Sequence, residues 1–256
     1  SPTSPPSPAD SYGTPPANPY DAPANPYDAP ATDVPLGSRE DYDAFMGRVS
    51  QSLAAERLAE AHLLLSQRYR DPATSADEAR RMEPLLDQLA GTVIYSPESY
   101  LEAPYEVIPT DTLESIANRY NVPPSLLVKI NGLDPNVPLR PGQRIKVVRG
   151  PFEAIIDASR QELTLMLGGE RYAGRFPIAL GPDMRQEGSL MVTDKDPTHW
   201  RGTRWIGLGQ HMGMHEAMEP IAPAQPLAEG CIGLNRRDID DLYDILAVGS
   251  KVTIRR

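Results

Sequence analysis

Three hydrophobic rhythms divide the chain. From Ser38 onward, apolar side chains recur three and four apart: Tyr42, Phe45, Met46, Val49 and Leu53, then Leu58, Ala61, His62, Leu65 and Tyr69, then Met82, Leu85, Leu86 and Leu89. That spacing puts each set on one face of a helix and predicts an α-helical region over residues 37–100. Ser38 with Asp41 reads as a capping pair for the first helix. Asp71-Pro72 should stop the second, because a residue before proline avoids helical backbone. The third is expected from about Thr74 to Gly91, kinked or restarted at Pro84. His62 falls on the apolar stripe and is read as packing rather than as a ligand.

Over residues 104–149 the pattern changes to strand, helix, helix, strand. Thr110 or Asp111 is expected to cap a helix that buries Leu113, Ile116, Ala117 and Tyr120. Ser125 is expected to cap a second, with Leu127, Val128 and Ile130 inside, and Asn131-Gly132 to end it. From 151 to 256 short apolar runs predict strands: Phe152 to Asp157, Glu162 to Leu167 with a Gly168-Gly169 turn, Tyr172 to Phe176, and Ile178 to Leu180. A short helix from Asp238 to Leu246, apolar at Ile239, Leu242, Ile245 and Leu246, precedes a closing strand through Ile254. Strands this short and close imply a mainly-β sandwich or barrel. The fold class expected is therefore multidomain: an α-helical N-terminal region, a small βααβ module and a mainly-β domain.

Residues 1–36 carry none of these rhythms. They are Pro-, Ser-, Ala- and Asp-rich, with Ala17-Asn18-Pro19-Tyr20-Asp21-Ala22-Pro23 repeated from Ala24 to Pro30. Too few aliphatic side chains remain to offset the entropy of folding, so the segment reads as a tether, with its tyrosines either plain spacer or a docking motif. The whole chain of 256 residues carries 25 Lys and Arg against 35 Asp and Glu, a net charge of −10. That balance argues against nucleic acid, or an acidic membrane surface, as a partner held by bulk electrostatics. The single cysteine excludes an intrachain disulfide and a cysteine-based metal centre. No run approaches the roughly 20 apolar residues that cross a bilayer. The chain starts at Ser1 without a methionine or an apolar leader, and the expectation drawn is export, with a targeting segment or membrane tether upstream of Ser1; a trimmed chain would read the same way.

The residues Tyr105-Glu106-Val107, Asp111-Thr112-Leu113 with Ile116-Ala117, Ile130-Asn131-Gly132 and Leu139-Arg140-Pro141-Gly142-Gln143 resemble a LysM module in order and length. Where such modules usually carry Pro-Gly-Asp-Thr, this chain has Pro109-Thr110-Asp111-Thr112. The resemblance implies binding of N-acetylglucosamine-containing glycan, hence a peptidoglycan anchor; the alternative is a module that only packs against its neighbours. The helical region before it is a candidate surface for a protein partner.

The chemistry concentrates in Gly213-Met214-His215-Glu216 and Ala228-Glu229-Gly230-Cys231-Ile232-Gly233-Leu234. A thiol of ordinary pKa is a few per cent thiolate at neutral pH, so an imidazole that takes its proton makes it a nucleophile. Gly230 and Gly233 would leave the backbone open for a carbonyl to approach Cys231, with nearby amides stabilising an oxyanion. Taken alone, Cys231 reads first as a small buried hydrophobe, and a histidine and a cysteine by themselves do not overturn that. Residues 152–256, however, resemble the L,D-transpeptidases of the YkuD type. The resemblance runs from Ile156-Asp157 and Leu163-Thr164-Leu165, through Phe176-Pro177-Ile178-Ala179-Leu180-Gly181, to the His-loop-Gly-Cys segment and the stretch from Asn235 to Leu246.

This resemblance implies that Cys231 attacks the L-centre to D-Ala bond of a tetrapeptide stem, with His215 as its base. D-alanine then leaves, and an acyl-enzyme passes the acyl group to an amine. It also implies acylation of Cys231 by carbapenems and not by most penicillins, and no cofactor. Four positions depart from the pattern: Glu216 stands for a glycine, Ala228 for a serine, Glu229 for a frequent histidine, and Gly233 for Arg or Asn. Arg236 or Arg237 could replace the missing cation, and Glu216 or Glu229 could orient His215 or be solvated loop charges. His211, four residues before His215, would face the same side of an alternating strand. His199 and Trp200 read as a loop tip or a cleft wall. A metal site from His199, His211 and His215 lacks an acidic partner. The departures keep a rival reading open, in which the fold persists as a peptidoglycan-binding or structural protein without turnover.

Overall fold

The computed structural model describes residues 41–181, 187–199, 203–209, 211–217 and 230–256. The tether, Ser38, Trp200, Ala228 and Glu229 lie outside them. Helices α1 (Tyr42–Ala54), α2 (Leu58–Arg70) and α3 (Ala76–Ala90) follow the three apolar stripes, with Phe45, Val49, Leu65, Met82 and Leu86 buried. Asp41 holds the N-cap of α1 without a side-chain bond, and the capping pair expected with Ser38 lies outside the described residues. At α3 a capping box does form: the Ser75 hydroxyl accepts from the Glu78 amide and the Glu78 carboxylate from the Ser75 amide. Pro84 neither ends nor restarts α3, since Met82 and Leu86 on either side of it are fixed in the core. The helix runs on into a π-turn, Gly91–Tyr95, whose extra residue per turn brings Val93 and Ile94 inward.

The next unit is β1 (Tyr105–Glu106), α4 (Leu113–Arg119), α5 (Pro124–Asn131) and β2 (Arg144–Ile145), with β1 and β2 antiparallel. Its caps differ from expectation. Thr112 caps α4, exchanging bonds with Ser115. The Asp111 carboxylate instead accepts from the Ile108 amide at 2.9 Å and the Tyr105 hydroxyl at 2.6 Å, closing the turn before the helix. Pro123 holds the cap position of α5, and the Ser125 hydroxyl donates to the Asp244 carbonyl at 3.0 Å.

The remainder is a sandwich of two five-stranded sheets. One has the order β5 (Arg171–Pro177), β4 (Glu162–Leu167), β3 (Phe152–Asp157), β12 (Lys251–Arg255), β7 (Gly188–Met191). The other has the order β6 (Ala179–Leu180), β11 (Cys231–Leu234), β10 (Met212–Glu216), β9 (Thr203–Gly209), β8 (Asp194–His199). Helix α6 (Arg236–Ile245) starts two residues before the expected Asp238, because the Asn235 side chain accepts from the Asp238 amide at 2.8 Å and so caps it.

Strand β5 is a sheet edge, and helices α2 and α3 cover it. Ser66 and His62, four apart on α2, act together as a substitute strand. The Ser66 hydroxyl accepts from the Tyr172 amide at 3.0 Å, and His62 Nε2 donates to the Tyr172 carbonyl at 2.8 Å. The apolar faces of α2 and α3 are therefore occupied within the chain. Lys146, after β2, donates to the carbonyls of Val93 and Ser96, at 3.1 and 2.6 Å, at the end of the π-turn. Buried side chains of helices, βααβ unit and sandwich join in one continuous core.

Candidate active site

Strands β10 and β11 run parallel, with Gly213 opposite Cys231 and His215 opposite Gly233. Residues two apart on a strand share a face, so Cys231 and His215 lie on the same face as diagonal neighbours, on strands about 4.8 Å apart. The other face of these strands carries Met214, Ile232 and Leu234, all fully buried. Ile232 thus presents its side chain to the core and not to the site. Helix α6 packs on that core side: Arg204, adjacent to Trp205 on β9, pairs with Asp240 and Asp244 of α6 at 3.0 and 2.7 Å. Arg237 lines a separate cavity of about 680 Å³ between α3, α5, α6 and β5, together with Lys129, Arg175 and Asp241. It does not take the place of a cation beside Cys231, and Arg236 is exposed on the first turn of α6.

His215 Nδ1 lies 2.7 Å from the Glu216 main-chain oxygen. A carbonyl only accepts, so Nδ1 carries the hydrogen, and in the neutral ring Nε2 keeps the lone pair. The orienting group is thus the backbone of Glu216; alternation turns its carboxylate to the opposite face. Cys231 is half-buried, and burial pushes its thiol above the usual value. Gly230 precedes it with φ +76°, a conformation that favours glycine, and its carbonyl accepts from the Gly213 amide at 3.0 Å.

A cleft of about 420 Å³ opens on the same face, lined by Asp194, His199, Trp205, His211 and Met212. His211 reaches it from a turn, at φ +66°, and a register shift separates Met212 from Gly213, so the strand alternation expected for His211 and His215 fails. His199 ends β8, where its Nδ1 is 3.4 Å from the Asp196 carboxylate. The Thr198 amide, together with His199, keeps that carboxyl below the usual range. Trp205 was not singled out from the sequence. It pairs in register with His215, and no local pattern marks a pairing between strands. Among the described residues, no three His, Cys, Asp or Glu side chains are grouped to hold a metal ion.

The L,D-transpeptidase catalytic domain family matches residues 151–254, and the LysM domain family residues 105–148. A putative L,D-transpeptidase YkuD of Bacillus subtilis is 30% identical over 166 residues, covering 59% of this chain and 98% of that protein. The chain belongs to the YkuD-type L,D-transpeptidases. Solved structures are more distant. An L,D-transpeptidase from Mycobacterium smegmatis has 14% identity and a TM-score of 0.36, over 45% of this chain and 64% of that one. One from Stackebrandtia nassauensis has 16% identity and a TM-score of 0.37, over 88% of this chain and 96% of that one. The LysM unit precedes the sheet that carries Cys231 and shares its core. Among the described residues, no helix is long and apolar enough to cross a membrane.

Proposed function

We infer that the protein is a peptidoglycan-directed cysteine acyltransferase of the cell envelope, acting outside the cytoplasm. Cys231 attacks the carbonyl of the L-centre to D-Ala bond in a tetrapeptide stem, and His215 Nε2 takes the thiol proton. As the tetrahedral intermediate collapses, the imidazolium returns that proton to the departing D-alanine amine, leaving a thioester. An incoming amine, deprotonated by His215, attacks the thioester and frees the thiol. The LysM unit holds the enzyme on glycan. The observation that carries this reading is the parallel pairing of β10 and β11, which sets thiol and imidazole on one face while the Glu216 carbonyl fixes the ring tautomer. A thiol pushed up by burial needs such a base, because little thiolate exists before substrate arrives.

A second reading, a transpeptidase fold retained as a wall-binding scaffold, is favoured by one feature. Gly233 stands opposite His215 where the family pattern carries Arg or Asn, which leaves Cys231 without that neighbouring side chain. Intact-mass measurement after exposure to meropenem separates the two. A covalent adduct absent from Cys231→Ala, and slowed by His215→Gln, supports the enzyme. A thiol that stays unmodified at neutral pH supports the scaffold. Co-sedimentation of the full chain with purified peptidoglycan tests the glycan anchor, and failure to co-sediment removes it.

A further inference from the structure

The indole of Trp205 lies between the His215 and His199 imidazoles on the face that carries Cys231. Its ring lies 6.1 Å, centroid to centroid, from the His215 imidazole, with 15° between the planes, and 4.8 Å from the His199 imidazole at 27°. The three rings form one stack from β8 to β10. Both separations fall within the range in which aromatic pairs attract beyond simple burial. The indole also overlies Gly213, the register partner of Cys231: a Cβ added there would stand 2.3 Å from the indole Cζ2 and 2.5 Å from Cη2. Glycine at 213 is thus what lets the ring lie flat across the sheet toward the thiol.

We propose that Trp205 is a positioning residue for His215. Its stack on one side and the Glu216 carbonyl on the other confine the imidazole to the orientation that directs Nε2 across the face toward Cys231. His199 closes the far side of the stack and is itself steadied by Asp196. A single hydrogen bond leaves an imidazole free to swing about that bond; a ring packed against its plane removes the swing. Placing a base within hydrogen-bond reach is worth part of the roughly 10²–10⁴-fold that general-base catalysis supplies. The charged or titratable groups around the stack are Asp194, Asp196 and His199 from β8, His211 from the turn before β10, and Cys231 from β11.

The inference rests on His215 acting as base, and the test keeps the two apart. The chain has two tryptophans, so Trp200→Phe leaves Trp205 as its sole indole. An aromatic ring stacked on the indole alters its emission, so His215→Gln and His199→Gln should each change the Trp205 spectrum. A spectrum unchanged by His215→Gln overturns the stack. The second arm follows acylation of Cys231 by meropenem with intact mass. Trp205→Ala should slow it about tenfold and move its pH profile toward that of His215→Gln, with half-saturating drug concentration within about twofold, while Trp205→Phe restores most of the rate. Gly213→Ala, which keeps the indole but displaces it, should reproduce Trp205→Ala. If His215→Gln is slow but Trp205→Ala matches the parent in rate and pH profile, the positioning role is overturned and the functional reading stands. If His215→Gln acylates at the parent rate, the functional reading itself fails and takes the positioning role with it.

Discussion

His62 gives the most direct test of how the helical region is fastened to the catalytic domain. Its ring is fully buried between α2 and β5, donates from Nε2 to the Tyr172 carbonyl, and leaves Nδ1 without a partner. Burial, reinforced by the nearby Arg171 charge, pulls its pKa down to about 4 from the ordinary 6.5. The folded state thus holds the neutral ring, while the unfolded chain takes up a proton below pH 6.5. Between those values the unfolded state binds more protons, so stability rises with pH there. His62's contribution is complete above pH 6.5 and is lost as pH falls through 4. A displacement of two and a half units at 1.36 kcal/mol each makes that contribution about 3 kcal/mol, most of it gone by about pH 4.5. His62→Gln retains a donor for the Tyr172 carbonyl and does not titrate. Urea unfolding of both proteins, followed by tryptophan emission, should find the variant about 1 kcal/mol less stable at pH 7.5 and the more stable of the two at pH 4.5. Parallel pH profiles for the two would refute the reasoning, because they would mean that His62 is solvated or already charged in the fold.

Three further outcomes follow from single contacts. Because burial holds the Cys231 thiol up, its alkylation by iodoacetamide, read by intact mass, should accelerate continuously from pH 7 past pH 9; a plateau below about pH 8 would show a preformed thiolate. Lys195 donates to the Tyr243 and Leu246 carbonyls at the end of α6, so Lys195→Met should lower unfolding stability by about 2 kcal/mol through two lost charge-assisted bonds. Glycine to alanine should change sign with backbone. At Gly132, the left-handed cap of α5 at φ +58°, it should cost about 1 kcal/mol, whereas at Gly47, on an exposed and uncrowded part of α1, it should gain about 0.5–1 kcal/mol by thermal unfolding.

Helices α1 to α3 and the βααβ unit were legible because their signals are local: stripes at helical spacing, Pro72 as a stop, Gly132 as an exit. Caps were legible only as regions. Thr112 rather than Asp111 ends up as the cap of α4 because the Asp111 carboxylate is taken by the Tyr105 hydroxyl and the Ile108 amide. Strands β7 to β9 gave no usable pattern. β7 and β8 are largely exposed, β8 contains Pro197, and their order in the sheets depends on partners far along the chain. The same limit applies to the site. Cys231 and His215 stood out through their resemblance to a family segment, whereas the residue in contact with His215, Trp205, is found only once the register of β9 against β10 is known. The carboxylate first considered for orienting His215 gives way to a main-chain oxygen of the same residue, a distinction that residue type alone does not carry.

Asp244 on α6 shows why the LysM unit and the catalytic sheet behave as one body. Its carbonyl accepts from Ser125 on α5 at 3.0 Å. Its carboxylate pairs with Lys129 of the same helix at 3.5 Å and with Arg204 of β9, the neighbour of Trp205, at 2.7 Å. Exposed ion pairs contribute little each, so these contacts fix orientation more than they add stability. The stability comes from the core that runs through Leu126 and Ile130 of α5 to Leu242 and Ile245 of α6. A LysM unit on a flexible linker would raise the local concentration of stem peptides over a wide volume. One locked through α6 to the strand that carries Trp205 presents them at a fixed offset, so a glycan held there would constrain which stem along the strand can reach Cys231. Wall binding and choice of stem would then be coupled. On the proposed function, substitution of Lys129 or Ser125 should alter the spacing of the cross-links formed while leaving meropenem acylation of Cys231 unchanged.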